Sequence, residues 1–310
     1  MLCLGIHSTF FGPIKYAILP QHLAEHEVLA GTGLVEAGTY LAILAGTVVA
    51  GLIPIEGAAA TVLGVSLVGW FAGRQVPPAP SEGAPIAIEY NPLTASWRLV
   101  AATMHIPRLF LAICAISFFW TIGAVLITIF PALVKNVLTA DQWVASLVIA
   151  IFSVGVAIGS VVINSMLKGR ISARFAPASV IAMGLFVTLF SVLVRYWTAA
   201  PVGRFYDWHG FIAQPLAVPV MLVLVAIAIT GGMFVVPLYA FLTTTVEKDH
   251  TARTVAANNV VNAGAMTLGA VVVVALTAIA DIRSEDMLLV VAAMCLVAAW
   301  LAHKLHRACD

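Results

Sequence analysis

Long apolar runs separated by short polar joints dominate this chain. A membrane-crossing helix needs about 20 mostly apolar residues. By that measure the sequence predicts nine spans, over residues 2–20, 32–53, 56–73, 109–133, 143–167, 176–196, 216–243, 254–280 and 286–303. The polar joints 21–27, 168–174, 247–250 and 281–286 punctuate them. Segment 74–92 differs, with five prolines and no apolar period. Such a composition reads as a flexible linker. Beyond it, Leu93, Trp97, Val100 and Met104 fall on one helical face, the pattern of a helix lying on a membrane surface. The expected organisation is therefore 1–73 with three spans, 74–107 as a cytoplasmic linker with a surface helix, and 108–310 with six spans.

Composition agrees with the pattern. Hydrophobic residues make up 62% of the 310 and charged residues 9%, against about a quarter charged in soluble domains. The chain reads as an all-α integral membrane protein. A net charge of +1 with dispersed basic residues offers nothing to nucleic acid. The arrangement of Lys and Arg favours a cytoplasmic C-terminus, which places eleven of them inside and four outside. Cys3, Cys114, Cys295 and Cys309 form no CxxC, so neither a disulfide framework nor a metal site is expected. No cofactor is implied. No basic residue precedes Lys15, so the start lacks the charged region of a secretory signal peptide.

A short internal repeat gives the spans an order. Pro13-Ile-Lys-Tyr followed by Leu34-Val-Glu-Ala-Gly38 is echoed by Pro237-Leu-Tyr followed by Val260-Val-Asn-Ala-Gly264, at nearly equal offsets. The copies lie at spans 1–2 and 7–8, six spans apart. Parallel repeats of this kind mark transporters built from two similar halves. A six-span period implies twelve spans, so the chain is expected to hold the last three helices of one half and all six of the other.

Six stretches carry a family resemblance: Phe11-Gly-Pro-Ile-Lys-Tyr-Ala-Ile-Leu-Pro20, Gly33-Leu-Val-Glu-Ala-Gly-Thr-Tyr-Leu-Ala-Ile-Leu44, Phe118-Phe-Trp-Thr-Ile-Gly-Ala124, Ile151-Phe-Ser-Val-Gly-Val-Ala-Ile-Gly-Ser160, Gly231-Gly-Met-Phe-Val-Val-Pro-Leu-Tyr-Ala240 and Arg253-Thr-Val-Ala-Ala-Asn-Asn-Val-Val-Asn-Ala263. With them the chain resembles the major facilitator superfamily, and within it the lysophospholipid transporter branch. It is similar to the membrane domain that some bacteria fuse to an acyltransferase and an acyl-carrier-protein synthetase. The resemblance starts at the family's fourth helix, so a truncated major-facilitator fold is expected. It implies inward movement of a lysophospholipid, chiefly lysophosphatidylethanolamine, across the bacterial inner membrane. It also implies a functional link to re-acylation by the acyltransferase and synthetase, with membrane lipids as the surroundings.

Several residues carry candidate chemistry, each with a plainer reading. Lys15 and Glu36 are ionisable groups in apolar spans, where charge is costly and usually paired or functional. They read either as a structural ion pair, with Lys15 otherwise snorkelling to the interface, or as a gate or head-group site. Asn258 and Asn262 share a helical face, for interhelical bonding or for lining a polar cavity. Pro13 and Pro237 lie inside spans, each followed by a tyrosine (Tyr16, Tyr239), and read as kinks that shape packing or flank a binding site. Trp120 with Thr121 sits mid-span as bundle core or cavity wall. Gly155 and Gly159 form a GxxxG expected to allow close packing within the bundle.

Lys168, Arg170 and Arg174 form a basic inner loop, with Arg253 a further cytoplasmic charge. They read as a topology signal or as a vestige of the family's loop motif. His22-Leu-Ala-Glu25-His26 matches an inverted zinc-protease pattern, but it follows Pro20 in a short joint without an evident third ligand. No acyltransferase signature, nucleotide loop or Gly-x-Ser-x-Gly occurs, so no catalytic residue is expected. The competing expectations are a non-transporting remnant and a membrane-embedded enzyme.

Overall fold

A computed structural model describes residues 2–79, 89–201, 203–278 and 282–309. They form twelve α-helices: α1 (Leu2–Ala17), α2 (Leu19–His22), α3 (Glu25–Leu52), α4 (Ile55–Gly73), α5 (Pro92–Met104), α6 (Pro107–Asn136), α7 (Gln142–Leu167), α8 (Ala176–Arg195), α9 (Trp208–Ile212), α10 (Ala217–Thr244), α11 (Lys248–Ala278) and α12 (Ser284–Cys309). The exclusive use of helix follows from the solvent: in hydrocarbon every backbone polar group must find its partner within the segment. Among the described residues eight helices are long and apolar enough to cross a membrane, namely α3, α4, α6, α7, α8, α10, α11 and α12. The first expected span appears as α1, 16 residues long with Pro13 inside it, and the single turn α2.

Two N-terminal boundaries move outward into the polar joints. The polar residues Glu25–Glu27 and Lys248–His250, expected as joints, form the first turns of α3 and α11. Acidic side chains in a first turn complement the helix dipole, and Glu27 caps the Ala24 backbone N–H at 3.0 Å.

The six long helices of the C-terminal segment, α9 aside, pack as two groups of three. α10 lies between α7 and α8, while α6 lies between α11 and α12; α8 against α12 joins the groups. Glycines set the closest seam. A Cβ at Gly155 would meet the Ala228 Cβ at 2.6 Å, and one at Gly159 or Gly232 would overlap the backbone of Ile229 or Val156. The GxxxG thus joins α7 to α10 inside the bundle. Phe119 against Phe234, and Phe130 between Phe152 and Phe190, fill the core. Cys295 is buried and Cys114 half-buried, both free thiols; the side chains of Cys3 and Cys309 lie outside the described set.

The N-terminal helices join this bundle unequally. α3 packs chiefly on α7, where a Cβ at Gly33 would stand 2.5 Å from the Ser160 carbonyl oxygen, and α1 packs on α11. α4 buries no residue.

The expected linker falls partly on residues 80–88, outside the described set. The surface helix after it is α5, whose Asn91 cap accepts from the Leu93 N–H at 3.0 Å. The expected apolar stripe divides along the helix, with Val100 and Met104 half-buried and Met104 packed against the core. Leu93 and Trp97 are 80% and 75% exposed, whereas Thr103 is buried and α5 lies against α11. The adjoining face docks, carrying Leu99 with the small Ser96 and Thr103, which let the two helices approach.

Candidate functional site

The two copies of the repeat meet. Tyr16, near the end of α1, donates its hydroxyl hydrogen bond to Glu36 Oε1 on α3. Tyr239 of α10 is bonded to Asn262 of α11, whose Nδ2 donates to the Tyr239 hydroxyl oxygen at 3.5 Å. Each copy therefore forms the same pair, a tyrosine bonded to a polar residue on the following span. The tyrosine rings then stack on each other, centroids 4.5 Å apart and 8° from parallel. The contact joins helices of the first segment to helices of the second.

Around this stack lies a buried polar cluster. Trp120 Nε1 donates to the Tyr239 hydroxyl at 2.7 Å, and Ser117 Oγ donates to Asn262 Oδ1 at 2.7 Å. Both donors come from α6, one helical turn apart. Glu36 and Asn258 are completely buried, and Asn262 is 5% exposed. Tyr40, one turn beyond Glu36, is buried beside Glu36 and Tyr239.

Three atoms in the cluster have no partner: Glu36 Oε2 and both amide atoms of Asn258. Asn258 lies alongside the Tyr239 hydroxyl without reaching hydrogen-bonding geometry. A buried polar atom without a partner costs about 1–3 kcal/mol. The arrangement therefore favours a polar occupant that could accept from the amide and donate to the carboxylate.

The expected Lys15–Glu36 ion pair does not form. Lys15 Nζ instead donates to Thr39 Oγ1 at 3.0 Å and lies 4.8 Å from the centroid of the Tyr16 ring. Tyr16 occupies the partner's place at Glu36, because a buried phenol desolvates more cheaply than a half-buried ammonium. Lys15 remains close enough to contribute its charge.

Other expected residues take plainer positions. Pro13 and Pro237 lie inside continuous helices, with Pro237 buried. Thr121 bonds its own backbone at Ser117 O, 2.7 Å, and turns its methyl toward Gly269. It stands outside the polar cluster. Lys168 ends α7 in the left-handed conformation at φ 53°, and Gly169 follows at φ 75° against the His26 carbonyl. This loop and the start of α3 surround a cavity of about 590 Å³ that includes Glu25, His26, Lys168 and Arg170. Arg174 lies over the Phe175 ring at 5.4 Å. Arg253 lines a groove between α5 and the α10–α11 joint. His22 ends α2 and His26 begins α3, separated by the extended residues Leu23 and Ala24. They share no helix face, which removes the geometry the zinc pattern needs.

Sequence reasoning missed Ser117, Tyr40 and Thr39. Helical spacing could have found them: Ser117 stands one turn before Thr121, and Tyr40 one turn after Glu36.

The profile of the Major Facilitator Superfamily matches residues 1–270. The chain belongs to this superfamily. The chain is also similar to the lysophospholipid transporter LplT of Cronobacter sakazakii (strain ATCC BAA-894), 25% identical over 244 residues, covering 77% of this chain and 56% of that protein. The LplT of Salmonella newport (strain SL254) is 26% identical over 254 residues, with the same shares of 77% and 56%. The chain thus spans little more than half the length of these relatives. The superfamily and these transporter relatives point to a transporter rather than an enzyme.

Proposed function

We propose that the chain transports a lysophospholipid, lysophosphatidylethanolamine or a close analogue, across the bacterial inner membrane by alternating access. Residues 1–73 supply one body, 108–310 the other, and 74–107 a cytoplasmic linker, with the C-terminus in the cytoplasm. The observation that carries the reading is the buried polar cluster shared by both bodies, with Glu36 Oε2 and the Asn258 amide unpartnered in an otherwise apolar interior. A zwitterionic head group meets both needs: its ammonium donates to Glu36 and its phosphate accepts from Asn258. The stacked Tyr16 and Tyr239 act as the contact that opens and closes between the bodies. Re-acylation of the imported lipid by an acyltransferase and acyl-carrier-protein synthetase completes the use of such a substrate.

In this reading α1 is a ninth crossing, and the fold corresponds to nine of the superfamily's twelve helices. The unburied α4 favours one further statement: the first body transports only when three more helices cover it.

The test is uptake of fluorescent lysophosphatidylethanolamine into vesicles holding the chain, with and without the first three helices of a relative. Glu36→Gln keeps the acceptor for Tyr16 and removes the charge. Losing one charge-assisted contact weakens uptake about ten- to a hundredfold. Uptake by Glu36→Gln equal to the wild type, or no uptake in either arrangement, overturns the proposal.

A further inference from the structure

A second cavity adjoins the polar cluster. α11 and α12 both pack on α6 but hardly touch each other, so a slot of about 400 Å³ opens between them with α6 as its floor. Its walls include Phe118, Ala265, Leu268, Val272, Met287 and Met294. From Val261 to Val272 the slot follows α11 for about 16 Å at the helical rise of 1.5 Å per residue.

Two hydroxyls reach this slot, those of Ser117 and Thr121, and neither is left unmet. Ser117 donates to Asn262 and Thr121 to the Ser117 carbonyl. The walls therefore present an apolar surface, whose only other side-chain heteroatoms are the weakly polar sulfurs of Cys114, Met287 and Met294. Methionines on α12 adapt to flexible apolar occupants, and Gly269 leaves the Thr121 methyl uncovered by any side chain of its own.

Ser117 also belongs to the polar cluster. The slot thus begins at the Ser117–Asn262 pair, in the cluster whose Glu36 Oε2 and Asn258 amide lack partners. One end asks for a polar group and the other for hydrocarbon.

We infer that the α6–α11–α12 slot holds the single hydrocarbon chain of an amphiphile whose polar end occupies the Glu36–Asn258 cluster. The inference rests on the lipid-transport reading and assigns the place of the chain. It makes α11 the helix that contacts both ends of the substrate.

The test uses the full chain in phosphatidylethanolamine and phosphatidylglycerol vesicles, with the added helices if uptake requires them. The probe is lysophosphatidylethanolamine with a photoreactive diazirine at the end of its palmitoyl chain. Irradiation is expected to label residues 261–273 and 287–294, and excess unlabelled lysolipid is expected to suppress the label. Ala265→Phe narrows the slot, as does Leu268→Trp at a position already 65% exposed. Excluding a couple of buried methylenes raises the half-saturating concentration of the palmitoyl lysolipid about tenfold. A hexanoyl analogue, with fewer methylenes to place beyond Ala265, shows the smaller change.

Equal labelling by a diazirine-bearing diacyl lipid, or labelling that competitor does not suppress, shows bulk lipid only and overturns the inference. So does unchanged palmitoyl uptake in both variants. Intact uptake with labels elsewhere removes the slot and leaves the transport reading standing. Absence of uptake and of labelling removes both.

Discussion

Tyr239→Phe tests the polar cluster most directly. The substitution removes one oxygen and leaves the ring that stacks on Tyr16 at 4.5 Å. That oxygen accepts from Trp120 Nε1 at 2.7 Å and from Asn262 Nδ2 at 3.5 Å. The first bond is short and carries most of the effect, while the second is at the limit of hydrogen bonding. Side-chain hydrogen bonds between membrane helices average about 0.6 kcal/mol and reach about 1.7. Because Trp120 is half-buried and its indole can donate only, the expected loss lies near the upper end, about 1–1.5 kcal/mol. Reversible unfolding in mixed micelles measures it. The companion variant Trp120→Phe removes the same bond from the other side, so the double variant should lose little more than either single one. The coupling energy should be about 1 kcal/mol. Strict additivity of the two losses would refute the reasoning, since it would mean that the bond contributes nothing. Tyr239→Ala should lose a further 0.5–1.5 kcal/mol or so from the aromatic pair, and more again from the cavity left at a fully buried ring.

Gly159→Ala should destabilise by about 1–3 kcal/mol, because a Cβ there overlaps the Ile229 backbone; Gly38→Ala, with nothing within 4 Å, serves as the control, and thermal aggregation in detergent compares them. Lys168→Gly should stabilise by about 1 kcal/mol by relieving a left-handed residue at φ 53°, read from the unfolding midpoint. Arg195→Ala should change stability by less than about 1 kcal/mol, since the Arg195–Asp286 pair is 44% and 33% exposed, and raising the salt concentration should shrink even that.

The sequence made the helices legible because lipid demands long apolar runs: eight of the nine expected spans correspond to long apolar helices among the described residues, while the first divides between α1 and α2. Polar first turns were not legible by hydropathy: Glu25 to Glu27 and Lys248 to His250 join helices through capping and dipole effects that a hydropathy window does not see. The repeat located Tyr16, Glu36, Tyr239 and Asn262, and all four are joined in one cluster. Their pairing was misread. Opposite charges suggested Lys15 with Glu36, whereas burial selects the phenol as partner for Glu36 and leaves Lys15 with Thr39. Contacts between helices distant in sequence, such as Ser117 with Asn262 across 145 residues, carry no local signal. The slot is of the same kind, since it exists only through the separation of α11 from α12.

The bare surface of α4 has a consequence for biogenesis. A helix that buries none of its residues gains little from the other described helices after entering the bilayer, so its residence there depends on partitioning between the translocon and lipid. Its apolar side chains, including Ile55, Leu63, Val65 and Trp70, provide that free energy. Its one acid, Glu56, sits in the first turn, away from the middle of the apolar run. Insertion and tertiary assembly are therefore separable steps for this segment. The bundle of α6 to α12 can reach its final packing while α4 is still free to rotate and drift in the membrane.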